Sequence, residues 1–182
     1  MFHTLFENPV QVKKIGLIGI GNRFMGDDGI GPLLVEHVRV SGIFNDRICF
    51  INGGTGGFSL VHELARLEAA VVVDAGDFDG ISGEYRIFSV RDMLKIDSSP
   101  GRRFSSISVH EWNLIKTIEL SILMRELPDP FYIMVIQPHY IALCSGISST
   151  LEIRLPHYEK VLCRLLSSFL AVPRDHPDRF LK

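Results

Sequence analysis

The chain has almost no charge bias to offer a polyanion. Lysine and arginine number 19 against 21 aspartates and glutamates, a formal net charge of -2 over 182 residues. The densest basic spot is Arg102-Arg103, and two residues make no patch, so neither nucleic acid nor an anionic membrane is expected as partner. No apolar run approaches the roughly 18 residues of a membrane span. Met1 to Val12 lacks the basic flank and apolar core of a signal peptide. Cysteine is scarce: Cys49, Cys144 and Cys163 are odd in number and far apart, which excludes a zinc-knuckle spacing and a disulfide framework. They read as small buried hydrophobes in a reducing cytoplasm. Three hydrolase signatures are missing as well: the G-x-S-x-G elbow, the H-E-x-x-H pair and the paired Asp-Thr/Ser-Gly motifs of pepsin-like proteases.

What is present suits one soluble domain. Hydrophobic residues make up 46% and charged residues 22%, enough apolar material to bury a sizeable core. The domain is expected over 1–182, with 1–12 as an N-terminal extension and 173–182 as a polar tail. Buried strands are predicted at Lys14 to Ile20, Arg47 to Ile51, Ala69 to Val73 and Phe131 to Ile136. Ala69 to Val73 is apolar on both faces, as in sheets covered by helices on both sides. Glu84 to Val90 alternates and could be an antiparallel edge strand. Helical spacing places Ile30, Leu33, Leu34, His37 and Val38 on one face with Pro32 in the first turn, and Leu60, Leu64 and Leu67 on another. Glu111 to Leu127 and Ser149 to Leu170 also read as helical, the latter with a kink or break at Pro156. Asp92 to Ser108 is a long polar loop between the Glu84 to Val90 strand and the Glu111 to Leu127 helix. Strand and helix alternate throughout, so the fold class is α/β: a three-layer α/β/α sandwich around a mainly parallel, twisted sheet of about five strands.

The most informative stretch is Gly19 to Gly31, GIGNRFMGDDGIG. It follows an apolar strand and opens a helix, yet its turn carries Asp27 and Asp28 where a nucleotide-binding loop needs backbone amides. The dinucleotide fingerprint G-x-G-x-x-G fails because Phe24 stands where glycine is required, and no Gly-Lys-Ser/Thr ending makes a P-loop. Two carboxylates would also repel a pyrophosphate at a helix N-terminus. One of them serves as a helix cap on this reading, and the other calls for a chemical role. Ligands of open α/β sheets bind beyond the carboxyl ends of the strands. The turns at Asp27/Asp28, at Asn52 to Thr55 and at Asp74 should therefore share one rim. Asp77 and Asp79 read as turn carboxylates. His110, before the Trp112-containing helix, is a candidate imidazole, and His139 after the last strand is its competitor. His62, His157 and His176 are weaker, and His37 reads as a core residue. Two carboxylates and an imidazole would suit a divalent borderline metal such as Zn, Ni or Fe(II).

The ordered set G-x-G-N-x-x-x-G-D-D-G-x-G, N-G-G-T-G-G, V-V-V-D-A-G, S-V-H-E-W and V-I-Q-P resembles the hydrogenase maturation endopeptidases, from about Lys14 to Leu170. That resemblance implies an α/β/α sandwich and an endopeptidase that cuts a C-terminal extension from the large subunit of nickel–iron hydrogenases. It also implies a metal-reading triad, which by motif position falls on Asp28, Asp74 and His110 and leaves Asp27 to cap the helix. These three are the expected catalytic and metal-binding residues. Nickel would arrive with the precursor, no organic cofactor is implied, and a cytoplasmic monomer is expected. Asn52 stands where many relatives place Asp, and Val109 stands where Pro is common before the histidine. Other readings stay open at this point: a precursor- or metal-binding module without proteolysis, a small-molecule metallohydrolase, and a peptidase acting on another precursor.

Overall fold

The computed structural model describes residues 14–44, 46–55, 57, 59–90 and 111–171. The readings of Met1 to Val12, of the Asp92 to Ser108 loop and of the tail from Pro173 lie outside the described residues. Strands are β1 (Lys14–Ile20), β2 (Ile48–Gly54), β3 (Leu67–Ala75), β4 (Tyr85–Ser89) and β5 (Phe131–Ile136). Helices are α1 (Ile30–Val40), α2 (Ser59–Leu64), α3 (Glu111–Leu123), α4 (Ser149–Glu152) and α5 (Leu155–Leu170), and a 3-10 turn spans Gly26–Gly29.

The strands form one sheet in the order β2-β1-β3-β5-β4. β1 pairs in parallel with β2 and β3, and β3 with β5, whereas β4 runs antiparallel to β5. The expected antiparallel edge strand is therefore present. Alternation along the strands sends side chains to two cores. Ile15 and Leu17 of β1 join Ala69, Val71, Val73 and Ala75 of β3 beneath α1, α4 and α5. Ile18, Ile20, Ala70 and Val72 face the other way, toward Leu60 and Leu64 of α2 and Leu114 and Ile118 of α3. Burying both faces of the central strands is what demands continuous apolar runs in β1 and β3.

Two glycines let the first helix sit directly on the strand ends. A Cβ on Gly31 would collide with the carbonyl oxygens of Ile20 and Val73, so only glycine allows α1 to cross β1 and β3 this closely. Gly21 has φ +129°, and a Cβ there would strike the Asp28 carbonyl. Gly21→Ala is expected to destabilise the fold by about 3 kcal/mol or more, because strain and a backbone clash coincide. Denaturant unfolding of the variant measures this.

Several boundaries differ from the pattern-based reading. Leu67 is the first residue of β3 rather than the last of a helix face, since α2 stops at Leu64 and Leu67 pairs with Lys14. β2 runs on through Asn52 to Gly54, because it follows β1 to that point with a register shift at Ile20. α3 ends at Leu123, with Arg125 at φ +59°, instead of reaching Leu127. The expected break near Pro156 is present: α4 ends at Glu152, α5 begins at Leu155, and Pro156 lies in its first turn. His37 is half-buried, and the three cysteines are half-buried free thiols rather than core residues.

Tyr158 of α5 is fully buried and donates its hydroxyl to the Gly83 carbonyl at 2.6 Å. Burial pushes its pKa up to about 12 from 10.0, with Arg154 opposing and Asp27 adding to the rise. Because the folded pKa is the higher one, stability is whole below pH 10 and falls as pH rises toward 12. Tyr158→Phe is expected to cost on the order of 1 kcal/mol near neutral pH. It should also flatten the alkaline fall seen when unfolding is measured across that window.

Candidate active site at the strand ends

β1, β2, β3 and β5 run in one direction, so their carboxyl ends form the shared rim that the sequence predicts. Asp28 follows β1 within the 3-10 turn, and Asp74 is the penultimate residue of β3. Both side chains are almost fully buried, at 2% and 3% exposure. Two carboxylates this deep are not the solvated side chains of an open loop.

The glycine turn folds around Asp28. Its Oδ2 accepts the backbone N–H of Asn22 at 2.7 Å. Asn22 in turn accepts the Phe24 amide through Oδ1 at 3.0 Å, and Gly21 leaves room for the Asp28 carbonyl. Asp74 alternates with Val72 along β3 and pairs with Val135 in the register. Both neighbours belong to the core under α2 and α3. α3 begins at Glu111, the residue after His110.

Asp27 does not cap a helix. Neither the 3-10 turn nor α1 has a side-chain cap at its N-terminus, with Met25 and Gly29 in those positions. The Asp27 carboxylate instead receives the backbone N–H of His139 at 2.7 Å, of Tyr140 at 3.2 Å and of Ser148 at 2.6 Å, with the Ser148 hydroxyl at 2.9 Å. It is completely buried. Backbone bonds reinforce the junction: Gly26 N–H donates to Cys144, Asp27 N–H to Tyr140, and Cys144 N–H to Phe24. The segment after β5 is thereby bound to the turn after β1.

The remaining candidates sort by location. Asp77 accepts the Asp79 amide and the Gln137 side-chain amide, in that order of effect, and both hold its carboxyl below the usual range. Asp77 and Asp79 are therefore turn carboxylates, as expected. Asn52 is exposed at the end of β2, where its Oδ1 accepts the Gly54 amide at 3.1 Å. His139 reaches the rim but is exposed, and its ring lies 6.0 Å from that of Tyr140. His62 and His157 are exposed on α2 and α5. His110 and His176 lie outside the described residues. Among the described residues no group of three His, Cys, Asp or Glu side chains could hold a metal ion.

Two residues carry more of the rim than their types suggest. Gln137, just past β5, accepts the amides of Phe78 and Gly80 through Oε1 at 2.9 and 3.2 Å and donates to Asp77 at 3.1 Å. It shapes the turn that leaves Asp74. Ser148 binds Asp27 and caps α4 through the Leu151 amide. Gln137 sits inside V-I-Q-P, and Ser148 has a helix-cap signature, but neither pattern names a distant partner.

A family model described as HycI, hydrogenase maturation protease, matches residues 32–164, a stretch that contains Asp74 and His110 and begins after Asp28. The hydrogenase 2 maturation protease of Escherichia coli is 25% identical over 164 residues, covering 89% of this chain and 97% of that one. The hydrogenase expression/formation protein HupD of Thiocapsa roseopersicina is 24% identical over 128 residues, and there the match spans 69% of this chain and 54% of the relative. Among solved structures, the hydrogenase maturating endopeptidase HybD of Escherichia coli superposes with a TM-score of 0.72 at 23% identity, over 85% of this chain and 93% of that one. The [NiFe] hydrogenase maturation protease HycI of Thermococcus kodakarensis KOD1 does so at 0.65 and 24%, over the same shares. The structural likenesses show the fold. With the family model spanning most of the chain, they agree on one conclusion: this protein belongs to the hydrogenase maturation protease family.

Proposed function

We propose that this chain removes the C-terminal extension of a nickel–iron hydrogenase large-subunit precursor, and that its rim reads the nickel already inserted there. The observation that carries the reading is the placement of Asp28 and Asp74, two buried carboxylates, one in the turn after β1 and one at the end of the adjacent β3, in a member of a protease family. Carboxylate oxygens are hard, anionic donors that suit a divalent cation, and an imidazole from His110 would make the set borderline, as nickel requires. The nickel is part of the substrate on this reading. Asp28, Asp74 and His110 recognise it and so fix the precursor's tail against the rim.

The surroundings favour a protein over a small molecule. Phe24 and Leu143 are 70% and 85% exposed, each the residue just before a partner of the Met25–Cys144 bridge. Tyr140 and Ile141 continue this apolar surface next to the turn that carries Asp28. Large exposed apolar side chains clustered beside a site suit contact with a macromolecule. A monomeric enzyme working in the cytoplasm, where precursor and inserted nickel meet, completes the reading. Among the described residues no helix is long and apolar enough to cross a membrane.

The test is incubation of the purified chain with nickel-loaded precursor, followed by the mass of what is released. A C-terminal peptide of one defined mass is expected. A precursor that binds without being cut would instead identify a binding module, with Asn52 the first position to revert to Asp. Turnover of simple esters or amides with the precursor untouched would identify a small-molecule hydrolase.

A further inference from the structure

The strand order gives the Asp27 contacts a consequence for the reaction. β3 lies between β1 and β5 in the sheet, so the turn after β1 and the segment after β5 reach each other past the end of β3, where Asp74 sits. Asp27 makes that junction, with three backbone amides and a hydroxyl converging on one fully buried carboxylate. Its neighbour Asp28 turns its own carboxylate to the Asn22 amide on the β1 side. One peptide unit thus joins a group fixed to the β5 side and a group that belongs to the site.

We infer that Asp27 is a positioning residue for the protease: by fastening the glycine turn to residues 139–148, it fixes the Asp28 carboxylate relative to Asp74. Charge is central to this role. A carboxylate accepts from four donors at once, whereas a carboxamide would point an N–H₂ at some of them. The side chain touches neither the tail nor the metal; it acts through Asp28. Ser148 belongs to the same device, since its hydroxyl donates to the Asp27 carboxylate at 2.9 Å while its backbone N–H donates to the other oxygen. A displacement of the order of an ångström at a reacting site costs about a hundredfold in rate, so loosening the junction should show in turnover before it shows in binding.

This inference rests on the proposed function, and its test separates the two. Nickel-loaded precursor is given to the wild-type chain, Asp27→Asn, Ser148→Ala and Ser148→Thr, well below each variant's melting temperature, and kcat and KM are measured separately. Asp27→Asn is expected to lower kcat by about a hundredfold with KM within about twofold. Ser148→Ala should lower kcat by about tenfold, and Ser148→Thr, which keeps the hydroxyl, should recover most of it. If Asp27→Asn does not fold, the two Ser148 variants decide the matter. Unchanged kcat in folded Asp27→Asn or Ser148→Ala, or a loss that appears in KM alone, overturns the positioning role while leaving the proposed function intact. Failure of the wild-type chain to cut the precursor overturns the proposed function, and this inference with it.

Discussion

Asp28→Ala and Asp74→Ala are each expected to abolish precursor processing, lowering cleavage rates by about 10³-fold or more in a protein that still folds. The size follows from what the groups do. If nickel contact is what fixes the tail, removing a contacting carboxylate forfeits orientation as well as charge, and orientation alone is worth many orders of magnitude in rate. The effect on the fold is smaller. Asp28→Ala leaves the Asn22 amide without its acceptor, a loss of about 1–3 kcal/mol. Asp28→Asn and Asp74→Asn keep a side-chain oxygen and the shape of each site, so they separate chemistry from stability. His110→Ala should match the carboxylate variants in activity. Cleavage assays paired with thermal unfolding check all of these. Efficient cleavage by the folded variants would remove these residues from the mechanism.

The second large effect is expected on the substrate side. Precursor that lacks nickel should stay intact with the wild-type chain, with cleavage slower by about 10²-fold or more than for the loaded form. On the proposed reading, a precursor without the metal offers Asp28 and Asp74 nothing to coordinate, so its tail is not fixed against the rim. Parallel reactions on loaded and nickel-free precursor, quenched over time and weighed by mass spectrometry, give the ratio directly. Equal rates would mean that the rim recognises sequence or shape and takes no part in reading the metal.

Much of this architecture was legible in the chain. Both faces of β1 and β3 are buried, which leaves no room for polar alternation, and their apolar runs announced a covered parallel sheet. Once that sheet was given, the rule that ligands bind at carboxyl strand ends placed Asp28 and Asp74 on one rim. Local patterns failed where tertiary contacts decide. Leu67 continues the spacing of Leu60 and Leu64 by coincidence, and pairing with β1 takes it into β3. The role of Asp27 was invisible for a different reason. Aspartate before a helix is a common cap, and its actual donors stand 112, 113 and 121 positions away. No spacing rule connects residues that only the β1-β3-β5 strand order brings together.

Reading nickel through Asp28 and Asp74 implies a change at the metal itself. The most direct measurement is the nickel X-ray absorption spectrum of the loaded precursor, alone and frozen just after mixing with the protein, before the tail is released. Mixing with the wild-type chain should add oxygen and nitrogen ligands to the thiolate set, and mixing with Asp28→Ala should add fewer. An unchanged nickel spectrum in a wild-type mixture that goes on to release the tail would contradict metal recognition by these residues.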